Sequence, residues 1–346
     1  MNDTLDRRQR ARPLIRTWLW FAAFLVFTMV IVGGATRLTD SGLSITEWQP
    51  LLGAIPPLTE ADWLLAFGKY KLIPEYSQVN QGMSLAEFKF IYWWEWAHRF
   101  LGRFIGIVMI VPFLALWLMR RIEPRLVPRL IGLIILGGFQ GALGWYMVRS
   151  GLVDRVDVSQ YRLAAHLTLA TVILGAIVWT VLGVGDGNRH RPRTGREWAA
   201  LGLAALVLLQ VAAGGFVAGL DAGMGYNSWP LMDGQWVPKG LLIMEPAWRN
   251  FFENAMTVQF DHRLIAYIVA LYAAVYAWRV RGRAAVAVIV AVALQIALGI
   301  ATLLAQVPLS LGLMHQAGAM MVFATAIWAV HEALTQPVRE LRQVTV

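Results

Sequence analysis

Eight apolar stretches of about 20 residues, separated by polar or arginine-rich segments, divide the chain at 17–36, 98–119, 129–148, 163–184, 198–219, 262–279, 284–305 and 312–332. Twenty residues rising 1.5 Å each cover roughly 30 Å of hydrocarbon. The pattern therefore predicts an all-α polytopic membrane protein with eight transmembrane helices. The opening segment, MNDTLDRRQRARPLIR, is too rich in arginine and too poorly followed by small residues for a removed signal peptide. It reads as a cytoplasmic tail over 1–16.

Spans 1–4 and 5–8 repeat one another. GGATRLTDSGLS (Gly33 to Ser44) and GGFVAGLDAGMG (Gly214 to Gly225) end spans 1 and 5, and WEWAHRFLGR (Trp94 to Arg103) and VQFDHRLIAY (Val258 to Tyr267) open spans 2 and 6. FQGALGWYMV in span 3 answers LQIALGIATL in span 7, and RLAAHLTLA in span 4 answers LGLMHQAGA in span 8. Four spans separate the copies, so both have the same topology and are related by an axis along the membrane normal. Two tandem pseudo-symmetric four-helix bundles are expected, at 17–185 and 198–333. A cytoplasmic linker at 186–197 and a tail at 334–346 complete the organisation.

Composition agrees: of 346 residues, 58% are hydrophobic and only 15% charged, far from the balance of soluble proteins. The net charge of +9 is read as a topology marker and not as a nucleic-acid footprint. Of the 30 basic residues, 18 are arginines in the N-tail, the turns at 120–129, 188–196 and 279–283, and the C-tail. The other 12, including all four lysines, are spread over roughly twice that length. Basic residues favour the cytoplasmic side, so both termini are expected inside (N-in/C-in). In a bacterial inner membrane the long loops Arg37 to Trp96 and Leu220 to Asp261 would then face the periplasm. Zero cysteine excludes Fe–S clusters, thiolate zinc sites, covalent c-type haem and disulfides.

Four of the six histidines hold equivalent places: His98, His166, His262 and His315, each about 16 to 21 residues from the cytoplasmic end of an even-numbered span, or roughly 24 to 32 Å. Histidine inside a membrane is costly and faces a partner. Two per bundle, at one depth and on separate helices, is an arrangement that grips a haem iron from both sides. The plainer alternative is that each hydrogen-bonds a neighbouring helix. His190 and His331 have no repeat mate and are set aside.

Arg37, Arg99, Arg103, Arg162 and Arg263 flank these histidines and are candidate contacts for haem propionates, which guanidinium holds bidentately; snorkelling to headgroups is the other reading. Glu95 stands three residues before His98, where the second half has Gln259. A carboxylate can act as acid or base or steady a cation, so the asymmetry suggests one reactive half and one electron-transfer or structural half. Glu95 could equally be a solvated acid paired with Arg99 at i+4. In the first long loop, TEADWLLAFGKYKL and SLAEFKFIYWW follow the candidate N-caps Thr59 and Ser84, predicting two short helices over the first bundle as a lid. The second loop, GLDAGMGYNSWPLMDGQWVP, reads as turns.

In order and over most of the chain, GGATRLTDSGLSITEWQP, EFKFIYWWEWAHRFLGR, AAHLTLA, GYNSWPLMDGQWVP, QFDHRLIAY and LMHQAGA resemble the haem A synthase family of the proteobacterial and mitochondrial type. The resemblance implies conversion of haem O to haem A by oxidation of a ring methyl to a formyl group, a four-electron change passing through an alcohol and a gem-diol. It implies a haem B cofactor held by His262 and His315, substrate haem O near His98 and His166, and Glu95 as the essential acid. The loop cysteine pair of one branch of the family is missing here, so no thiol relay applies. The implied partners are haem O, an unidentified electron donor or acceptor, haem O synthase, oxidase assembly factors and the lipid bilayer, with homo-oligomerisation left open. The rivals are a non-catalytic di-haem electron carrier like cytochrome b561 and, more distantly, a transporter.

Overall fold

The computed structural model describes residues 2–49, 52–152, 156–185 and 195–335. His190, most of the linker at 186–197 and most of the tail at 334–346 lie outside the described residues. Within them the regular elements are α1 (Asn2–Leu38), α2 (Glu60–Tyr70), α3 (Pro74–Gln78), α4 (Leu85–Leu118), α5 (Val127–Arg149), α6 (Gln160–Leu182), α7 (Gly195–Gly219), α8 (Asn250–Glu253), α9 (Ala255–Val280), α10 (Arg283–Leu304) and α11 (Leu309–Thr335). No strand forms among the described residues beyond one isolated bridge, Met232 to Gln235. All but α2, α3 and α8 are long and apolar enough to cross a membrane, eight in all, which fits a multi-pass membrane protein. Large apolar side chains such as Ile107, Val111, Leu271 and Leu294 lie exposed along these helices, a surface suited to lipid and not to water.

Two helices are longer than the apolar pattern predicted. The expected tail at 1–16 is helical from Asn2 and continuous with the first span. Tertiary contacts hold it: Arg12 pairs with Glu123 at 2.8 Å, and Arg16 donates to the Val184 carbonyl at 2.6 Å. The second helix expected in the first long loop is not a separate lid element. Ser84 caps it, with Glu87 closing the capping box, but the helix then runs unbroken into the second span as α4. Its apolar face continues that of the span, so nothing terminates it. The other helix expected there does form as α2, capped by Thr59 with Asp62 in the same arrangement. Trp63, Phe67 and Tyr70 of α2 pack on Phe88, Ile91 and Tyr92 of α4, giving the outer loop a core of its own. The second long loop consists largely of turns, as its Gly and Pro content predicts.

Among the spans, α1 packs on α4 and α6, and α5 on the same two; α7 packs on α9 and α11, and α10 on the same two. Contacts of α6 with α7 and α11, and of α1 with α11, join the two groups. Two apolar cores lie within them. Gly215 and Gly219, one turn apart on α7, permit close approach to α6: a Cβ there would lie 2.8 Å from Ala164 Cα and 2.7 Å from Gln160 Cα. Small residues at this spacing let membrane helices pack backbone to backbone. Inside α4, Pro112 cannot supply the N–H that would satisfy the Val108 carbonyl. Trp18 on α1 does so instead, its indole N–H donating at 2.7 Å. The freed polar group thus becomes an interhelical tie, as an apolar surround demands.

Candidate functional site

Each of the four paired histidines meets a glycine on the preceding membrane-spanning helix. A Cβ added at Gly33 would lie 3.3 Å from His98, at Gly144 3.0 Å from His166, at Gly214 3.2 Å from His262, and at Gly299 2.8 Å from His315. A side chain at those positions would crowd the imidazoles, most of all at Gly299, so glycine lets them lie close to the neighbouring helix.

Glutamines add a second contact for three of them. Gln140, Gln210 and Gln295 each stand four residues before the glycine, one turn away on the same face. Their amide nitrogens donate to the backbone carbonyls of His166, His262 and His315 at 3.0, 3.0 and 2.8 Å. The same nitrogens lie 3.1 to 3.3 Å from ring nitrogens of these histidines. The glutamine oxygens are buried without partners in all three cases. On α1 the corresponding residue is Met29.

All four histidines line a single cavity of about 390 Å³, together with Met29, the three glutamines, Arg37 and Arg263. They fall into pairs. The rings of His262 and His315 are 6.5 Å apart between centres, and His98 and His166 are near enough to interact electrostatically. Two metal–nitrogen bonds of about 2 Å plus the ring radii span roughly 6 Å, so the first separation suits one metal between two imidazoles. No group of three or more His, Cys, Asp or Glu side chains able to hold a metal occurs among the described residues. Paired imidazoles therefore suit an iron whose remaining ligands come from a macrocycle. The residues present fit a haem.

Glu95 is brought to the outer loop. Only 2% exposed, its carboxylate accepts from Ser44 Oγ and Ile45 N, each at 2.7 Å, and from Arg99 at 2.6 Å. The pairing with Arg99 read from the sequence is present, but the acid is buried and not solvated. Gln259, equally buried, donates to the carbonyls of Ala222 and Gly225 at 2.7 Å and accepts from Arg263 at 3.0 Å.

The candidate propionate arginines are engaged with protein groups. Arg99 donates to the carbonyls of Ile45 and Glu47, Arg103 to that of Gln49, and Arg263 to those of Tyr226 and Ser228. Arg162 donates to the Tyr146 carbonyl and lies 3.6 Å above the Tyr146 ring. Arg37 bridges Asp40 at 3.0 Å and Asp221 at 2.7 Å. Of these five, Arg37 and Arg263 reach the cavity wall. His331 packs against Trp179 with ring centres 5.4 Å apart, away from the pairs.

The glutamines and glycines were not singled out from the sequence. Their signal was there in the repeated QGALG and QIALG, with QVAAG at 210–214 a third copy, and it became readable once the facing histidines were placed.

Eight apolar helices around one cavity, walled by two pairs of histidines, define the class: a multi-pass membrane protein with paired imidazoles between its spans. The chain belongs to the family of cytochrome oxidase assembly proteins designated COX15-CtaA, which it matches over residues 16–327. It is 55% identical over 333 residues to the heme A synthase of Parvibaculum lavamentivorans, covering 95% of this chain and 97% of that one. It is 51% identical to the heme A synthase of Mesorhizobium japonicum, covering 93% and 92%. With that of Nitrosospira multiformis it shares 48% identity, covering 96% of each chain.

Proposed function

We propose that this protein is a haem A synthase, an oxidoreductase that converts a methyl group of haem O to the formyl group of haem A for terminal oxidase assembly. The observation that carries the reading is the cavity walled by His98, His166, His262 and His315, in a chain about half identical, nearly end to end, to enzymes of that name.

In this reading the chain forms two tandem bundles, 17–185 and 198–333, with both termini cytoplasmic and the histidine sites towards the periplasmic side of a bacterial inner membrane. The support is that α1, α4, α5 and α6 pack in the same cyclic order as α7, α9, α10 and α11. His262 and His315 would hold haem B, which supplies one-electron chemistry when bound. Gln210 and Gln295 would orient the two imidazoles, and Gly214 and Gly299 would let them lie against α7 and α10. His98 and His166 would receive haem O. Arg37 and Arg263, at the cavity wall, are the arginines best placed for propionates. Glu95 would steady positive charge or move a proton during methyl oxidation, acting from its seat beneath Ser44, Ile45 and Arg99.

Pigment extracted from cells that express this protein with a source of haem O tests the proposal. Haem A is the expected product. Haem B alone would instead make the protein a di-haem electron carrier.

A further inference from the structure

We propose that His98 is the exchangeable iron ligand of the substrate site, left free to release by Met29, which stands where the other three histidines have a glutamine. The inference rests on the haem reading above and assigns different strengths to ligands that the sequence made look alike.

Gln140, Gln210 and Gln295 tie their own helices to the backbone of the facing histidine, and the same amide nitrogens lie 3.1 to 3.3 Å from ring nitrogens. A histidine held in this way is fixed in its position relative to the facing helix, and partners that fix a ligand's orientation support metal binding. Three of the four ligands have this partner in reach.

On α1 the spacing is the same and the chemistry is not. Gly33 sits against His98 as the other glycines do, 3.3 Å from Nε2 for an added Cβ. One turn earlier Met29 has no N–H to donate, and its thioether sulfur is a weak acceptor. Its methyl group instead points at α4, 3.0 Å from the position of a Cβ on Gly102, one turn beyond His98. Both Met29 and His98 face the cavity.

The distribution matches the two tasks. A resident cofactor gains from two fixed ligands, and both glutamines are present at His262 and His315. A substrate that must enter and leave cannot be gripped equally from both sides. At the substrate site one ligand, His166, is fixed by Gln140, and the other is not. The iron–nitrogen bond to His98 is the one that breaks when another ligand takes its place.

Carbon monoxide added to the purified, full-length, reduced protein loaded with haem B reports that exchange directly, independently of turnover. The wild type is expected to bind it at one haem of the two. Met29→Gln should slow this binding by about tenfold or more, the usual scale for a partner of a metal-bound histidine, while Met29→Leu should leave it fast. The reciprocal Gln210→Met should make the second haem reactive, which keeps the proposal testable if Met29→Gln folds poorly. Binding at the wild-type rate in Met29→Gln with unchanged haem content, or an unreactive second haem in Gln210→Met, would overturn it. Failure of every preparation to take up haem would instead remove the haem reading itself, and this inference with it.

Discussion

Ser44 Oγ donates to Glu95 Oε2 at 2.7 Å, and the Ile45 N–H donates to the same oxygen at the same distance. At the matching place in the second half, Gln259 gives its amide hydrogens to two carbonyls. The loop after α1 thus presents donors where the loop after α7 presents acceptors, and each side chain is the one that satisfies its loop. The difference between Glu95 and Gln259 is therefore also a matter of loop anchoring. Glu95→Gln is expected to lower haem A formation about a hundredfold or more, the scale of a lost acid–base group. Pigment extraction gives the yield, and a normal yield would end the role proposed for the acid. Ser44→Ala removes one anchor and keeps the charge, so it should cost far less.

His262→Ala and His315→Ala are each expected to strip most haem B from the purified protein and abolish the low-spin spectrum of paired imidazoles. The pyridine haemochrome assay measures content and the optical spectrum measures ligation. Retention of both would reject the two residues as ligands.

Gly144→Ala should disturb the site because its new methyl would lie 3.0 Å from His166 Cε1, whereas Gly141 on the same helix has open space around it. Displacing a positioned group by a fraction of an ångström costs on the order of tenfold or more. Haem A yield should therefore fall in Gly144→Ala and stay near wild type in Gly141→Ala. Equal yields would show that the close contact at Gly144 is not needed.

Glu75, on the short α3 of the outer loop, is 4% exposed and has an oxygen without a partner. Burial, and then the nearby charges of Glu95 and Asp40, push its carboxyl from 4.5 up to about 8. A carboxyl raised in the folded state stabilises that state fully below its unfolded value, and the contribution is lost as pH rises through the folded one. The outer loop should accordingly loosen between pH 4.5 and about 8, as charge is forced onto a buried acid. Glu75→Gln should flatten this dependence. Protection of α2 amides in hydrogen exchange, measured across that range, reads the effect; a wild-type profile already flat would contradict it.

The sequence by itself determined the eight spans, because about 20 consecutive apolar residues have one economical fate in a bilayer, and it determined the four histidines, because polar groups repeated at one depth of a span stand out against an apolar background. Helix limits at α1 and α4 escaped it. Hydropathy ends where charge begins, whereas the helices continue because Arg12, Arg16 and the Ser84 cap find tertiary partners or suitable neighbours there. The partners of Glu95, and the commitment of most flanking arginines to loop carbonyls, were likewise decided by folding: loop backbone has no side-chain signature, and its orientation is fixed only when the loop packs. The same holds for Gln140, Gln210 and Gln295. In sequence they are polar residues in apolar helices, unremarked beside the histidines. Only the packing of α5, α7 and α10 against the histidine-bearing helices sets each amide beside an imidazole and leaves Met29 alone in that place.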